Sequence, residues 1–276
     1  MIDQAAALRD LVRRQSDARQ ADSEGGALPL ALVVGAKGGV GATTVAVQLA
    51  VGLAQLGVRP LLVDADLYRA DAATLCGVRD HATLVDADSG RCSLESAIRP
   101  GPAGVGVLPG IWAPGRPVAV TDATWRRVRR AFDRAADRID RVVIDSGSGN
   151  ADVRRKMWID AQDVIVVTRP QDLAVMDAYA TIKIMRGATE QGQPTRLHLV
   201  VNGAASTDQA ADVFRRIDQS CRRFLGLQLN DLGTILEQPA LQSTREGLAG
   251  FQLVPDCLEL ARRFQHVTTA SEEAAA

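Results

Sequence analysis

Apolar positions along this 276-residue chain follow two alternating rhythms. Short unbroken runs rich in Val, Leu and Ile recur at residues 30–34, 60–63, 104–108, 142–144, 164–167, 197–201 and 232–236. Between them, over 42–56, 122–138, 173–185, 208–225 and 255–267, apolar residues return every three or four positions, the period of an amphipathic helix. Strands without polar alternation must be covered on both faces. The pattern therefore predicts an α/β fold, a mostly parallel sheet with helices on both sides. The chain ends differ. Residues 3–14 predict a short helix capped by Asp3, with Leu8, Leu11 and Val12 on one face. Residues 15–27 (QSDARQADSEGGA) are polar and carry glycine, so they read as a flexible linker. The main domain is expected over 28–267, and 268–276 (TTASEEAAA) reads as a disordered tail.

Chemistry enters where the first strand meets the first helix, in GAKGGVGATT, residues 35–44. A strand, a glycine-rich loop and a helix in that order aim consecutive N–H groups and a helix N-terminus at one spot, which is how backbone grips phosphate. Gly38, Gly39 and Gly41 let the loop wrap closely around Val40. Thr43 and Thr44 bring hydroxyls to the helix start, where one can bind a phosphate-associated Mg²⁺. The general phosphate-loop pattern wants lysine before the first threonine, and that position is Ala42. A lysine stands instead at Lys37, before the double glycine.

Ligands of an open parallel sheet bind beyond the carboxyl ends of its strands, so acids there matter. Asp64 and Asp66 end one strand in LLVDADLYRADAATLCGV, and Asp145 ends another in RVVIDSGSGN. Each alone reads as well as a helix-capping aspartate. Two acid-ended strands after a glycine loop, in that order, make plain helix capping a poor account of both and point to a nucleotide site. The run at 197–201 ends in Asn202, a side-chain amide that offers both a donor and an acceptor.

Composition narrows the class. A net charge of −1 gives no bulk attraction to nucleic acid or anionic lipid, so nucleic acid is not expected as a partner. Arg126, Arg127, Arg129 and Arg130 cluster, but with Asp133 and Asp137 nearby they read as a solvated face. Cys76, Cys92, Cys221 and Cys257 never form C-x-x-C, against a metal, disulfide or redox motif. His81, His198 and His266 sit in unrelated contexts and read as packing or surface residues. The N-terminal segment carries acid before base and no cleavage site, so a signal peptide is not expected, and the chain reads as cytoplasmic. Its basic residues are 29 arginines and three lysines, one of which is Lys37.

The string AKGGVGATT resembles the deviant Walker A motif, KGGxGK[ST], of the MinD/ParA ATPases, with the second lysine lost at Ala42. That resemblance implies a nucleotide-dependent homodimer with ATP and Mg²⁺ as cofactors. In it, Lys37 reaches the partner's nucleotide, Asp66 orients the attacking water, Thr43, Asp66 and Asp145 serve the metal, and Asn202 reads adenine. VVTRPQDLAVMDAYATIK resembles the TPE…DAYAxIK stretch of the flagellar and septum-positioning branch, with Gln171 replacing the glutamate. The family's adenine loop I-P-x-D is eroded to Ile235-Leu236-Glu237-Gln238, and its later asparagine after the strand acids is Asp71. DQAAALR, spanning Asp3, Gln4, Ala5, Leu8 and Arg9, is similar to the activator helix of the FlhG (FleN, YlxH) flagellar-number regulators. In them this helix docks on FlhF, a GTPase, and its glutamine completes the partner's hydrolysis site. An amide that orients water is sound GTPase chemistry.

Two readings compete with a flagellar regulator of weak or lost hydrolysis. One is an active ATPase for pilus assembly, septum positioning or DNA partition; the other is a scaffold that keeps only the activator helix. Relatives often end in a basic amphipathic helix that touches the inner face of the plasma membrane. Here Leu258, Ala261, Phe264 and Val267 line up beside Arg262 and Arg263, and the polar tail that follows makes packing on the core the preferred expectation over peripheral membrane contact.

Overall fold

The computed structural model describes residues 28–66, 71–78, 82–110, 122–147, 151–189, 195–237 and 254–275. Its strands are β1 (Leu30–Gly35), β2 (Pro60–Asp64), β3 (Arg99–Pro100), β4 (Gly106–Leu108), β5 (Arg141–Asp145), β6 (Asp163–Thr168), β7 (Arg196–Ala204) and β8 (Asn230–Leu236). Helices α1 (Ala42–Gln55), α2 (Asp71–Leu75), α3 (Leu84–Asp88), α4 (Leu94–Ala97), α5 (Asp122–Asp133), α6 (Ala151–Asp160), α7 (Asp172–Thr189), α8 (Thr207–Leu225) and α9 (Pro255–Ala275) connect or follow them. The strands form one sheet in the order β3-β4-β2-β5-β1-β6-β7-β8, parallel throughout except for the short antiparallel β3. The expected α/β architecture is the observed one.

Side-chain alternation divides the core in two. Leu30, Leu32 and Val34 of β1 enter one apolar layer with α5 to α8, while Ala31 and Val33 enter the other with α1, α2 and α9. Because β1 lies between β5 and β6, the chain leaves it toward one sheet edge and returns to build the other. That reversal opens a crevice at the carboxyl end of β1, where the glycine loop begins.

The amino ends of the strands are closed by charge. Asp163, fully buried at the start of β6, accepts hydrogen bonds from Arg141 at 3.1 Å and from Arg196 at 2.7 and 2.8 Å. His198 Nε2 lies 2.8 Å from the same carboxylate. Burial pushes the Asp163 carboxyl up, but the Arg196 and His198 hydrogen bonds overcome it and hold it down to about 2. Phe264 of α9 covers the cluster, edge-on to His198 and beneath the Arg141 guanidinium. His198 is thus a packing residue, as expected. Arg129 of the basic cluster does not join a solvated face. It donates to Leu28 O at 2.7 Å and approaches Asp133 at 3.8 Å, whereas Arg126 and Arg127 are exposed.

The C-terminal expectation needs correction. The helix does not stop at 267 before a disordered tail but continues to Ala275, and Thr268 is buried in it. Cys257, Leu260, Ala261 and Phe264 bury the apolar side against the core. Gly52 of α1 permits the close approach: a Cβ there would lie 2.7 Å from Ala261 Cβ. The tail's alanines and glutamates are good helix formers, and its low complexity hid that propensity. Helices α2, α3, α4 and α6 were also not foreseen, being too short or too weakly periodic to register. The expected helix at 3–14 and linker at 15–27 lie outside the described residues.

Candidate functional site

The glycine loop closes on itself through backbone geometry. Gly39 (φ 82°) and Gly41 (φ 89°) take the left-handed conformation that side chains resist. Gly41 is the N-cap of α1 and offers no side-chain cap, and the first turn carries no acid. The helix thus begins with N–H groups unclaimed by a side-chain cap at the end where its dipole is positive. Val40 is buried under the loop, Gly38, Gly39 and Thr44 are exposed, and Lys37, Ala42 and Thr43 are partly exposed around its mouth.

Asn202, at the carboxyl end of β7, reaches this loop. Its Nδ2 donates to Val40 O at 2.8 Å. A side chain on Gly41 would collide with that amide. One N–H of the amide thus steadies the loop, and its carbonyl oxygen and second N–H are left for another partner.

The three strand-end acids play unequal parts. Asp64 is fully buried, and its oxygens accept from the N–H groups of Asp66 (3.1 Å), Ala72 (3.0 Å) and Ala73 (3.2 Å). It ties the start of α2 to β2, and burial, with help from Asp145, raises its carboxyl to about 8. Asp145 is 1% exposed. Burial raises it to about 6, against the pull of the Thr43 hydroxyl and the Gly147 N–H, the latter at 3.2 Å. Its Oδ2 is buried with no hydrogen-bond partner among the described residues. Asp66 packs against Gly147, whose φ of 57° and missing Cβ make room for its carboxylate.

An acceptor orphaned beside a threonine hydroxyl, at the start of an uncapped helix, fits a hydrated Mg²⁺ that arrives with a nucleotide. Thr43 and Asp145 could hold such an ion. No group of three or more His, Cys, Asp or Glu among the described residues could hold an ion without such help. The site thus gathers the loop, Thr43, Asp66, Asp145 and Asn202 at the carboxyl ends of the strands. Gly147 and Gly203 were not singled out from the sequence, because the room a glycine leaves is visible only in three dimensions. Asp3, Gln4, Ala5, Leu8, Arg9 and Gln238 lie outside the described residues.

Comparison with known proteins agrees with this geometry. Residues 29–100 match the ParA family model described as NUBPL iron-transfer P-loop NTPase. The chain is 34% identical over 203 residues to the antiactivator FleN of Pseudomonas aeruginosa, covering 74% of this chain and 71% of that protein. It is 27% identical over 243 residues to the flagellum site-determining protein YlxH of Helicobacter pylori, covering 85% and 78%. Among solved structures, the septum site-determining protein MinD of Pyrococcus horikoshii, complexed with Mg-ADP, superposes with a TM-score of 0.62 at 23% identity. That match covers 87% of this chain and 97% of MinD.

Proposed function

The chain belongs to the FleN/YlxH branch of the ParA-type P-loop NTPases, and from that premise we propose that it regulates flagellar number or placement as a Mg·ATP-binding dimer with weak or lost hydrolysis. The observation that carries this reading is a complete phosphate cradle with alanine at position 42. The loop's N–H groups and the Thr43 hydroxyl hold the phosphates, and the Asn202 amide, already steadied by Val40, reads the adenine edge. Asp145, with Thr43, keeps the hydrated metal in place; the metal, when bound, supplies positive charge to the phosphate oxygens. Asp66, seated against Gly147, is placed to orient water. A fixed cation on the transferring phosphoryl group counts for more in the transition state than in the ground state, so losing it slows turnover more than binding. Lys37 from a second subunit supplies part of that charge.

The N-terminal segment carries the second activity, stimulation of an FlhF-type GTPase through Gln4, with Leu8 and Arg9 docking the helix. An iron-transfer role, as in the description of the matching family model, sits badly with these cysteines. Burial raises the thiols of Cys76 and Cys257 to about 12 and of Cys221 to about 11, away from thiolate chemistry. The decisive experiment is calorimetric titration of the purified protein with Mg·ATP together with a phosphate-release assay. Binding without appreciable turnover supports the proposal; absence of binding at millimolar ATP refutes it.

A further inference from the structure

Register places Arg169 beside this site: Thr168 pairs with Val201 across β6 and β7, so Arg169 and Asn202 are the next residues beyond the paired ends. Gly203 follows with φ 70°. A Cβ on Gly203 would stand 2.7 Å from Arg169 Nη2, 3.2 Å from Nε and 3.3 Å from Cζ. The guanidinium therefore occupies the space that a side chain at position 203 would fill. Its Nε is buried and has no hydrogen-bond partner among the described residues.

Resting on the reading of Asn202 as the adenine-edge residue, we propose that Arg169 is a nucleotide-contacting residue whose guanidinium covers one face of the purine. The residue after Asn202 is Gly203, so no side chain from β7 competes for the space beside that amide. A planar cation delivered from the neighbouring strand takes that place, and a guanidinium stacks well on an aromatic face while giving up little hydration. Among the described residues Arg169 is in no ion pair, which fits the same role. An arginine kept for structure would be expected to pair its Nε, as Arg196 does with Asp163.

The test is calorimetric binding of Mg·ATP, Mg·ADP and AMP to the full-length protein, to Arg169→Ala and to Arg169→Lys, with apo melting temperatures confirming that each variant folds. Arg169→Ala is expected to weaken all three nucleotides alike, by about 5- to 30-fold. Arg169→Lys, which keeps the charge and loses the plane, should stay within about threefold of Arg169→Ala. Equal affinity of Arg169→Ala and the parent overturns the proposal. So does a loss much larger for ATP than for AMP, which marks a phosphate contact, or full rescue by lysine, which marks a field effect of charge. If the parent itself binds none of the three, it is the nucleotide-binding reading that has failed, and this inference falls with it.

Discussion

Asp163→Asn separates what holds the fold from what serves the site. The carboxylate has no exposure and answers two guanidiniums and an imidazole. Its drop from an ordinary 3.8 to about 2 corresponds to about 2 kcal/mol in favour of the folded, ionised form. The amide removes that contribution and turns one acceptor oxygen into a donor facing other donors, a further loss of about 1 kcal/mol. The expected destabilisation at pH 7 is therefore about 3 kcal/mol, at the low end for breaking a buried ion pair. Urea unfolding followed by circular dichroism measures it. The sign of the pH dependence follows from the depressed carboxyl. Its contribution is complete above the ordinary value of 3.8 and disappears as pH falls through about 2. The parent should lose about 2 kcal/mol between pH 4 and pH 2 that the variant never had. Nucleotide affinity should not change, since the cluster lies at the opposite end of the strands from the glycine loop. A destabilisation below about 1 kcal/mol, or an equal acid response in both proteins, refutes the assignment of Asp163 as the hub.

Three further outcomes are expected. Ala42→Lys should tighten Mg·ATP by about 10- to 150-fold, the worth of a charge-assisted hydrogen bond, and raise turnover in a phosphate-release assay by more than it tightens binding; unchanged turnover would mean that Lys37 already suffices. Gly147→Ala, made in the Ala42→Lys background, should impair the raised turnover with little effect on ADP affinity, because the new methyl displaces the Asp66 carboxylate; undiminished turnover would remove Asp66 from the reacting centre. A peptide of residues 1–20 should stimulate an FlhF-type GTPase by itself, with Gln4→Ala abolishing stimulation and Leu8→Ala weakening docking; equal stimulation by the Gln4→Ala peptide would exclude the amide as the water-orienting group.

The β-α alternation was legible because buried parallel strands leave no polar gaps in the sequence. Val164 to Val167 could hardly be anything else. That the loop, Thr43 and Asp145 come together was legible because a phosphate loop sets glycine, hydroxyl and strand-end acid in a fixed order along the chain, and Asn202 stood out as an amide ending a buried run. What stayed hidden depends on contacts between distant segments. Asp64 and Asp66 look alike in DAD, yet one is consumed by the N–H groups of Asp66, Ala72 and Ala73 and the other packs on Gly147. Arg169 and Gly203 lie far apart in sequence, and only the pairing of β6 with β7 makes them neighbours. Helix α6 hid for another reason: within ADVRRKMWID, Met157 and Trp158 carry the burial and set no period.

The clasp at the amino ends of the strands bears on how the two halves of the chain share a load. Asp163 bridges to Arg141 across the foot of β1, since β5 and β6 flank that strand. At the same place the Leu28 N–H donates to Asp133 at 3.1 Å, its carbonyl accepts from Arg129, and the Leu30 N–H donates to Gln162 at 2.7 Å. Any pull on the segment before Leu28 would therefore meet these ties first. The glycine loop sits at the other end of β1, about 17 Å away. The ties at the foot of β1 and the Asn202–Val40 contact at its far end share no residue, so a load applied just before Leu28 is expected to reach the glycine loop only through β1 and its flanking strands.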